Sequence, residues 1–274
     1  MKKSFLIVAI AVLFALVSCA EPESHECSFS EKWESDDSTH WHECTCGARN
    51  EEALHETEWI ESSEGQLSNV CRICGKIVDV IENAKGVSTL EELKNALSGS
   101  DEVVYLKQDI DLKMSSSSKF GIEINRSLSL YGLGCKLYND SNDLVEYARL
   151  VNICNITDGE VVLCDVAIKS SQYSSFFMGL QIFDNKNTSI VLDGVTVSVP
   201  HYYAVSFGTG NDESNVKLIN SNIVGWASIY NRSSNMTLSA SNCRLISINP
   251  ERRGQDNSFS SVIVAEYYNL NEDV

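Results

Sequence analysis

Five versions of one strand–turn–strand phrase follow residue 126, and no other feature limits the fold as tightly. They are "SLSLYGLGCKL" (127–137), "EVVLCDVAI" (160–168), "SIVLDGVTV" (189–197), "NVKLINSNI" (215–223) and "NMTLSASNCRL" (235–245). They align on Leu130, Leu163, Leu192, Leu218 and Leu238, with a small or apolar residue five places later: Cys135, Ile168, Val197, Ile223 and Cys243. A second strand ending in a turn accompanies the phrase. "VNICN" (151–155), "LQIFD" (180–184), "AVSFG" (204–208) and "ASIYN" (227–231) put Asn155, Asp184, Gly208 and Asn231 in one column. Asn, Asp and Gly tolerate a left-handed backbone, so the column predicts a tight turn. The leucines are 33, 29, 26 and 20 residues apart. Short strands at such a period, without helices between them, predict a solenoid whose rungs bury their apolar faces against each other.

One helix precedes the repeats. In "VSTLEELKNAL" (87–97), Ser88 and Glu91 have capping-box spacing, Leu90, Leu93 and Leu97 share a face, and Gly99 ends the run. With "TLEELKNALSGSDEVVYLKQDIDL" (89–112) and the repeats, residues 86–274 resemble the right-handed parallel β-helix of the pectate-lyase-like superfamily. The resemblance implies an all-β fold in which the helix caps the open end of the solenoid. The leucine, isoleucine and valine columns are then core, each Å² buried contributing about 25 cal/mol. Cys135, Cys154, Cys164 and Cys243 fall among them and are read as small buried residues. No capping segment is evident around "SSVIVAEYYNL" (260–270), so end-to-end self-association through that rung is expected.

The N-terminus carries an address. Lys2 and Lys3 precede an apolar run, Phe5 to Val17, too short to span a bilayer comfortably. It ends in Leu16-Val17-Ser18-Cys19, which resembles a bacterial lipobox. That resemblance implies a signal peptide over 1–19, an acylated Cys19, and a protein anchored to a membrane at the cell surface, the outer membrane or a periplasmic face. An ordinary secretory signal is the alternative. The formal charge of −17 argues against nucleic acid as a partner.

Residues 20–80 read differently. They hold five of the ten cysteines, four of the five histidines and three of the four tryptophans. "CTCG" (Cys44, Cys46, Gly47) is echoed by "CRICG" (Cys71, Cys74, Gly75). Trp33 to Trp59 is 26 residues, Cys44 to Cys71 is 27 and Gly47 to Gly75 is 28, a duplicated unit. The region resembles the small Trp- and Cys/His-bearing repeats near the N-termini of bacterial surface proteins. Its two cysteine pairs, each followed by glycine, also resemble a zinc ribbon, although Cys-x-Cys is one residue short of the usual knuckle. On an extended strand, His40, His42, Cys44 and Cys46 face one way, but residues six apart lie about 20 Å from each other. They cannot share one ion without a bend. Cys44, Cys46, Cys71 and Cys74 are the first ligand candidates; His42, His55 and Cys27 follow, with His25 behind them. Three readings stay open: structural zinc, disulfides permitted by an exported location, and a looser metal-capturing surface.

Enzymes on β-helices use clustered carboxylates, often with Ca²⁺, and a Lys or Arg base. Asp165 and Asp193 lie near one turn, but that column continues to Asn220 and Ala240. Asp184, Asp212 and Glu213 are scattered. The sequence therefore points to a non-catalytic binding or adhesive scaffold for glycan or protein ligands. A carbohydrate-active enzyme would need Asp165, Asp193, Lys169 and Lys217 to converge. A metal-handling lipoprotein is the other alternative.

Overall fold

The computed structural model describes residues 26–141, 147–170, 178–248 and 262–265. Residues 1–19, read from the sequence as a signal, with Cys19 and His25, lie outside them, as does most of 260–270. Among the described residues no helix is long and apolar enough to cross a membrane. The chain divides into two compact units, Met1–His55 and Glu56–Val274.

The first unit is an antiparallel meander of β1 (Phe29–Ser35), β2 (Thr39–Cys44) and β3 (Arg49–Leu54). Asp36 sets its first turn. Its Oδ1 accepts from the Ser38 and Thr39 backbone N–H groups, each at 2.8 Å, and these bonds hold its carboxyl below the usual range. Gly47 makes the second turn at φ +83°. There the Cys44 N–H donates to Ala48 O and the Gly47 N–H to Cys44 O, both at 2.8 Å.

The second unit opens on a copy of that meander: β4 (Thr57–Ser63), β5 (Gln66–Cys71) and β6 (Ile77–Glu82). Gly75 turns at φ +72°, with Cys71 N–H donating to Lys76 O at 2.8 Å and Gly75 N–H to Cys71 O at 2.9 Å. The repeat read from tryptophan, cysteine and glycine spacing is thus a repeat of strands and of turn hydrogen bonds. β7 (Lys85–Val87) leads to α1 (Leu90–Ser98). The capping box sits one residue later than the spacing suggested: Thr89 is the N-cap and Glu92 its partner. Leu93, Ala96 and Leu97 form the buried face.

A parallel β-solenoid of about five turns follows, in an all-β chain with a single helix. Each turn has three sides. β8 (Val103–Leu106), β9 (Ile110–Asp111) and β10 (Phe120–Ile124) are followed by β11 (Leu128–Tyr131), β12 (Lys136–Tyr138) and β13 (Arg149–Cys154), then by β14 (Glu160–Cys164), β15 (Ala167–Lys169) and β16 (Met178–Phe183). Next come β17 (Ser189–Asp193) with β18 (Thr196–Phe207), and β19 (Ser214–Ile219) with β20 (Asn222–Asn231). β18 pairs with β15 through its first half and with β16 through its second, so one strand supplies two sides. β21 (Met236–Ser241), β22 (Arg244–Ser247) and β23 (Ile263–Ala265) complete the described chain. β7, β8, β11, β14, β17, β19 and β21 stack into a seven-stranded sheet; the other two sides join into a ten-stranded one.

Register confirms most of the leucine column and corrects its end. Leu130, Leu163, Leu192 and Leu218 pair in line, but Ala240, not Leu238, continues them. The second apolar column is Leu137, Ile168, Val197, Ile223 and Leu245, so Cys135 and Cys243 stand two residues outside it. Turns of unequal length in the first and last repeats cause both slips. Asn155 and Asp184 share the expected left-handed turn at φ +59° and +55°. In the next turn Thr209 lies opposite Asp184, its carbonyl accepting from the Asp184 N–H at 3.0 Å, and the left-handed residue is Gly210 at φ +79° rather than Gly208. Asn231 falls opposite Phe207, outside the column. Within the solenoid, Asn185 and Asn211 are fully buried. Asn185 Nδ2 donates to Ile153 O at 3.2 Å and to Asn211 Oδ1 at 3.1 Å, and Asn211 Nδ2 to Ile182 O at 3.0 Å. Such bonds give the asparagine amides partners at the carbonyls near the strand ends, so that they are not buried unpaired.

The second meander packs on the outer face of the seven-stranded sheet. Trp59 meets Tyr131 edge-on at 5.1 Å. Leu67 is buried with Tyr105 and Ala84. The Tyr105 hydroxyl donates to Glu61 Oε1 at 2.6 Å, and Lys107 Nζ lies 3.0 Å from the same oxygen.

Candidate metal centre

Cys27, Cys44 and Cys46 come together in the first unit. Their sulfurs all lie within 4.8 Å of one another, with Cys27 and Cys46 at 3.7 Å. The hairpin produces this. Phe29 pairs with Cys44 across β1 and β2, so two residues further out Cys27 stands opposite Cys46. Cys44 is buried at the end of β2, while Cys27 and Cys46 are exposed. Crowding by the Cys46 and then the Cys44 thiols pushes the Cys27 thiol up to about 11. Three thiols this close resist becoming three thiolates; a bound cation reverses that preference, because it stabilises the charge the thiols otherwise repel. None of the nine described cysteines is joined in a disulfide.

The histidines divide. His42 is engaged by Trp33, ring on ring at 3.8 Å, and stands outside the thiol group. His40 is buried, packs edge-on against Trp33 at 4.7 Å and lies 5.5 Å from the His55 ring. His55 Nε2 is 3.0 Å from Asp36 O. In the tautomer that donates this bond, Nδ1 is left as the metal-binding nitrogen, the arrangement in which a ligand histidine is oriented by a backbone carbonyl. His40 was not among the ranked sequence candidates. Its signal was position: it shares a strand face with His42 and lies across from Ser35, one turn of the pleat from Trp33.

The duplication supplies the counterpart set. His55 corresponds to Cys27, Cys71 to Cys44, and Cys74 to Cys46, displaced by 28, 27 and 28 residues. Cys71 is buried at the end of β5 and Cys74 is half-buried in the following turn. The side chains able to hold a metal are therefore Cys27, Cys44 and Cys46, with His40 and His55, in the first unit, and Cys71 and Cys74 in the second. The donor chemistry, thiolate and imidazole, suits zinc and other borderline-soft ions.

The carboxylates weighed as an active site are turn residues. Asp165 (φ +49°), Gly194 (φ +64°), Asn220 (φ +51°) and Asn242 (φ +51°) share a left-handed position on successive turns. Asp193 stands one residue before it, opposite Cys164 and Ile219, and Asn242, not Ala240, continues the column. Asn220 Nδ2 donates to Asp193 Oδ1 at 3.1 Å, and Asn242 Nδ2 to Asn220 Oδ1 at 2.7 Å. Burial raises the Asp165 carboxyl above its usual value. Lys169 is on β15 of the ten-stranded sheet and Lys217 on β19 of the seven-stranded one, so the four residues do not share a face. Asp184 makes a left-handed turn elsewhere, and Glu213 another.

Fold and donor set together define the class: a parallel β-solenoid preceded by a duplicated, metal-capable Cys/His meander. Comparison with protein-family models, with curated proteins and with solved structures finds no match to this chain.

Proposed function

We propose that this is an exported, lipid-anchored surface or periplasmic protein whose solenoid is a non-catalytic scaffold for a glycan or protein ligand. One observation carries the binding reading. Met178, Tyr203, Ala227 and Tyr230, with Tyr202 and Trp226, form an apolar cluster of their own, separate from the solenoid core. Tyr203 and Tyr230 stack at 4.0 Å with planes 4° apart, and Tyr202 lies 4.0 Å from Tyr203. Tyr203 and Tyr230 are buried, with Tyr202 and Trp226 half-buried at the edge; such a mixture of aromatic rings with polar tips is the composition from which ligand sites are built.

The test incubates the purified mature protein with acidic and neutral polysaccharides. Retention of a polysaccharide without new reducing or unsaturated ends supports the scaffold. New ends would replace it with a carbohydrate-active enzyme on the same fold. The anchor is tested by metabolic labelling with a fatty acid, which Cys19→Ser abolishes if Cys19 carries it. The charge of −17 leaves nucleic acid out of the proposal. Self-association through the last rung would appear as concentration-dependent mass in solution.

We also propose that the meanders hold structural zinc, with Cys27, Cys44 and Cys46 as the thiolate set of the first and Cys71 and Cys74 as the thiolates of the second. Elemental analysis with thiol counting on the protein as isolated decides this. Two zinc equivalents support one ion per copy, and one equivalent supports a single ribbon of Cys44, Cys46, Cys71 and Cys74. Metal that exchanges freely favours a metal-handling lipoprotein, and thiols protected until reduction, without metal, favour disulfides.

A further inference from the structure

The three thiols of the first unit are not equivalent. Cys27 precedes β1 and Cys46 lies in the turn after β2, so both stand outside the strands. Both are exposed, whereas Cys44 ends β2 and is only 2% exposed. Cys27 and Cys46 are also the closely set pair, with sulfurs 3.7 Å apart. A disulfide needs about 2.05 Å between its sulfurs and about 4.4–6.8 Å between its Cα atoms. Residues opposite each other in an antiparallel hairpin lie about 4.5–5.5 Å apart at Cα, inside that window. Closing the bond therefore moves only the two segments flanking the ladder and leaves the pairing of β1, β2 and β3 in place.

A metal and an oxidant compete for these sulfurs. The thiolate is the metal ligand, and a sulfur in a disulfide has given up that charge. The set comprises three thiols with sulfurs within 4.8 Å of one another. Joining two of them leaves Cys44 as a single thiolate, too few for an ion that takes four ligands in a structural site. Metal binding and disulfide formation therefore exclude each other, and by linkage each opposes the other. Cys44 is near enough to pair with either neighbour, but its burial keeps a dissolved oxidant from it. The duplication confines the feature to the first copy: the second has His55 where the first has Cys27, so the cross-hairpin thiol pair has no counterpart there.

We propose that Cys27 and Cys46 are a reversible redox pair that reacts with hydroperoxides: oxidation joins the two sulfurs and releases the ion, and reduction restores the thiolate set. This deepens the zinc reading above, on which the release of the ion rests. In the first step one thiolate takes an oxygen from the peroxide, whose O–O bond breaks and whose other oxygen leaves as hydroxide. In the second the other thiolate attacks that sulfur, the S–S bond forms and the oxygen leaves as hydroxide. The two sulfurs give up two electrons, the peroxide takes them, and two protons from solvent complete two waters. A small thiol reverses the bond by exchange and is itself oxidised to a disulfide. The exposure of Cys27 and Cys46 admits both reagents.

The experiment loads the purified full chain with zinc under reducing conditions, removes excess metal and reductant, and adds hydrogen peroxide. A chromogenic indicator reads released zinc, and non-reducing peptide mapping reads the disulfides. We expect a Cys27–Cys46 bond, one zinc released for each such bond, and recovery of both thiols and of zinc binding after dithiothreitol. Cys27→Ser should slow the release by about tenfold or more, because the second sulfur is no longer held beside the first. If Cys27→Ser takes up no zinc at this site, the unaltered protein still decides, since zinc loading should slow formation of the bond by a similar factor relative to the metal-free chain. Disulfides to Cys44 in place of this pair, oxidation that stops at sulfenic or sulfinic acid, or a Cys27–Cys46 bond in protein that keeps all its zinc would overturn the proposal. A chain that takes up no zinc yet forms the bond reversibly overturns the zinc reading and leaves the pair standing, whereas bound zinc beside thiols that peroxide does not join overturns the pair alone.

Discussion

Cys27 and Cys46 place their sulfurs 3.7 Å apart across the open end of a hairpin, because the register that pairs Phe29 with Cys44 carries on past the last ladder bond. Cys44 joins them from the strand end, and the three make one donor set. A meander as small as β1–β3 buries little apolar surface, so a metal held by these thiols would supply much of its stability.

Chelation should therefore act locally. Treating the isolated protein with a strong chelator is expected to raise amide exchange across 29–54 while the solenoid strands 128–231 stay protected. Hydrogen-exchange mass spectrometry reads both regions at once. Equal protection of 29–54 with and without chelator would remove the structural role of the metal.

Register predicts a difference between two leucines that look alike in sequence. Leu192 stacks between Leu163 and Leu218 and is fully buried. Leu192→Ala should cost about 2–5 kcal/mol in urea unfolding, the range for a buried leucine that leaves a cavity. Leu238 is only partly buried, and Leu238→Ala should cost clearly less. Equal losses would contradict the register at the last rungs.

Gly132 is fixed by its neighbour one turn on. A Cβ there would meet the backbone oxygen of Asp165 and the Cα of Val166, which cannot swing aside as a side-chain tip can. Gly132→Ala is expected to destabilise by about 1–3 kcal/mol through overpacking. Gly134→Ala, where a Cβ meets nothing but φ is +79°, serves as the comparison, since its cost is backbone strain alone.

The Tyr105 hydroxyl holds the Glu61 carboxyl below its ordinary value of 4.5. A depressed carboxyl stabilises the fold above that ordinary value and loses its contribution as pH falls through the lower folded one. Stability should decline over that acid window, and Tyr105→Phe should flatten this part of the profile. Glu61 is about one-third exposed, so solvent screens the effect and keeps it small. Thermal unfolding from pH 6 down to about pH 3 measures it, and an unchanged slope in Tyr105→Phe would rule the pair out as its source.

The thiols of buried Cys154 and half-buried Cys164 should be inert. Burial pushes Cys154 and Cys164 up to about 12, and the thiolate is the reactive form. Iodoacetamide at neutral pH is expected to leave both unmodified until the protein is denatured, as peptide mapping would show. Modification of either in the native protein would contradict the upward shift of its thiol.

The sequence by itself determined the solenoid, its single helix and the duplicated meander. Each rests on local rules: strand alternation, left-handed turns at Asn, Asp and Gly, helix capping, and repetition of one phrase. Local rules left two things unsettled. Register was one: turn lengths differ between repeats, and only stacking against the neighbouring turn set Ala240 against Leu218 and Leu137 against Ile168. The donor set was the other. Cys27 lies 19 residues from Cys46, and only hairpin pairing brought them together, while His42 turned from the thiols to stack on Trp33. The aromatic cluster was not legible at all. Met178, Tyr203 and Tyr230 come from three different strands, and their proximity exists only once parallel stacking has laid those strands side by side.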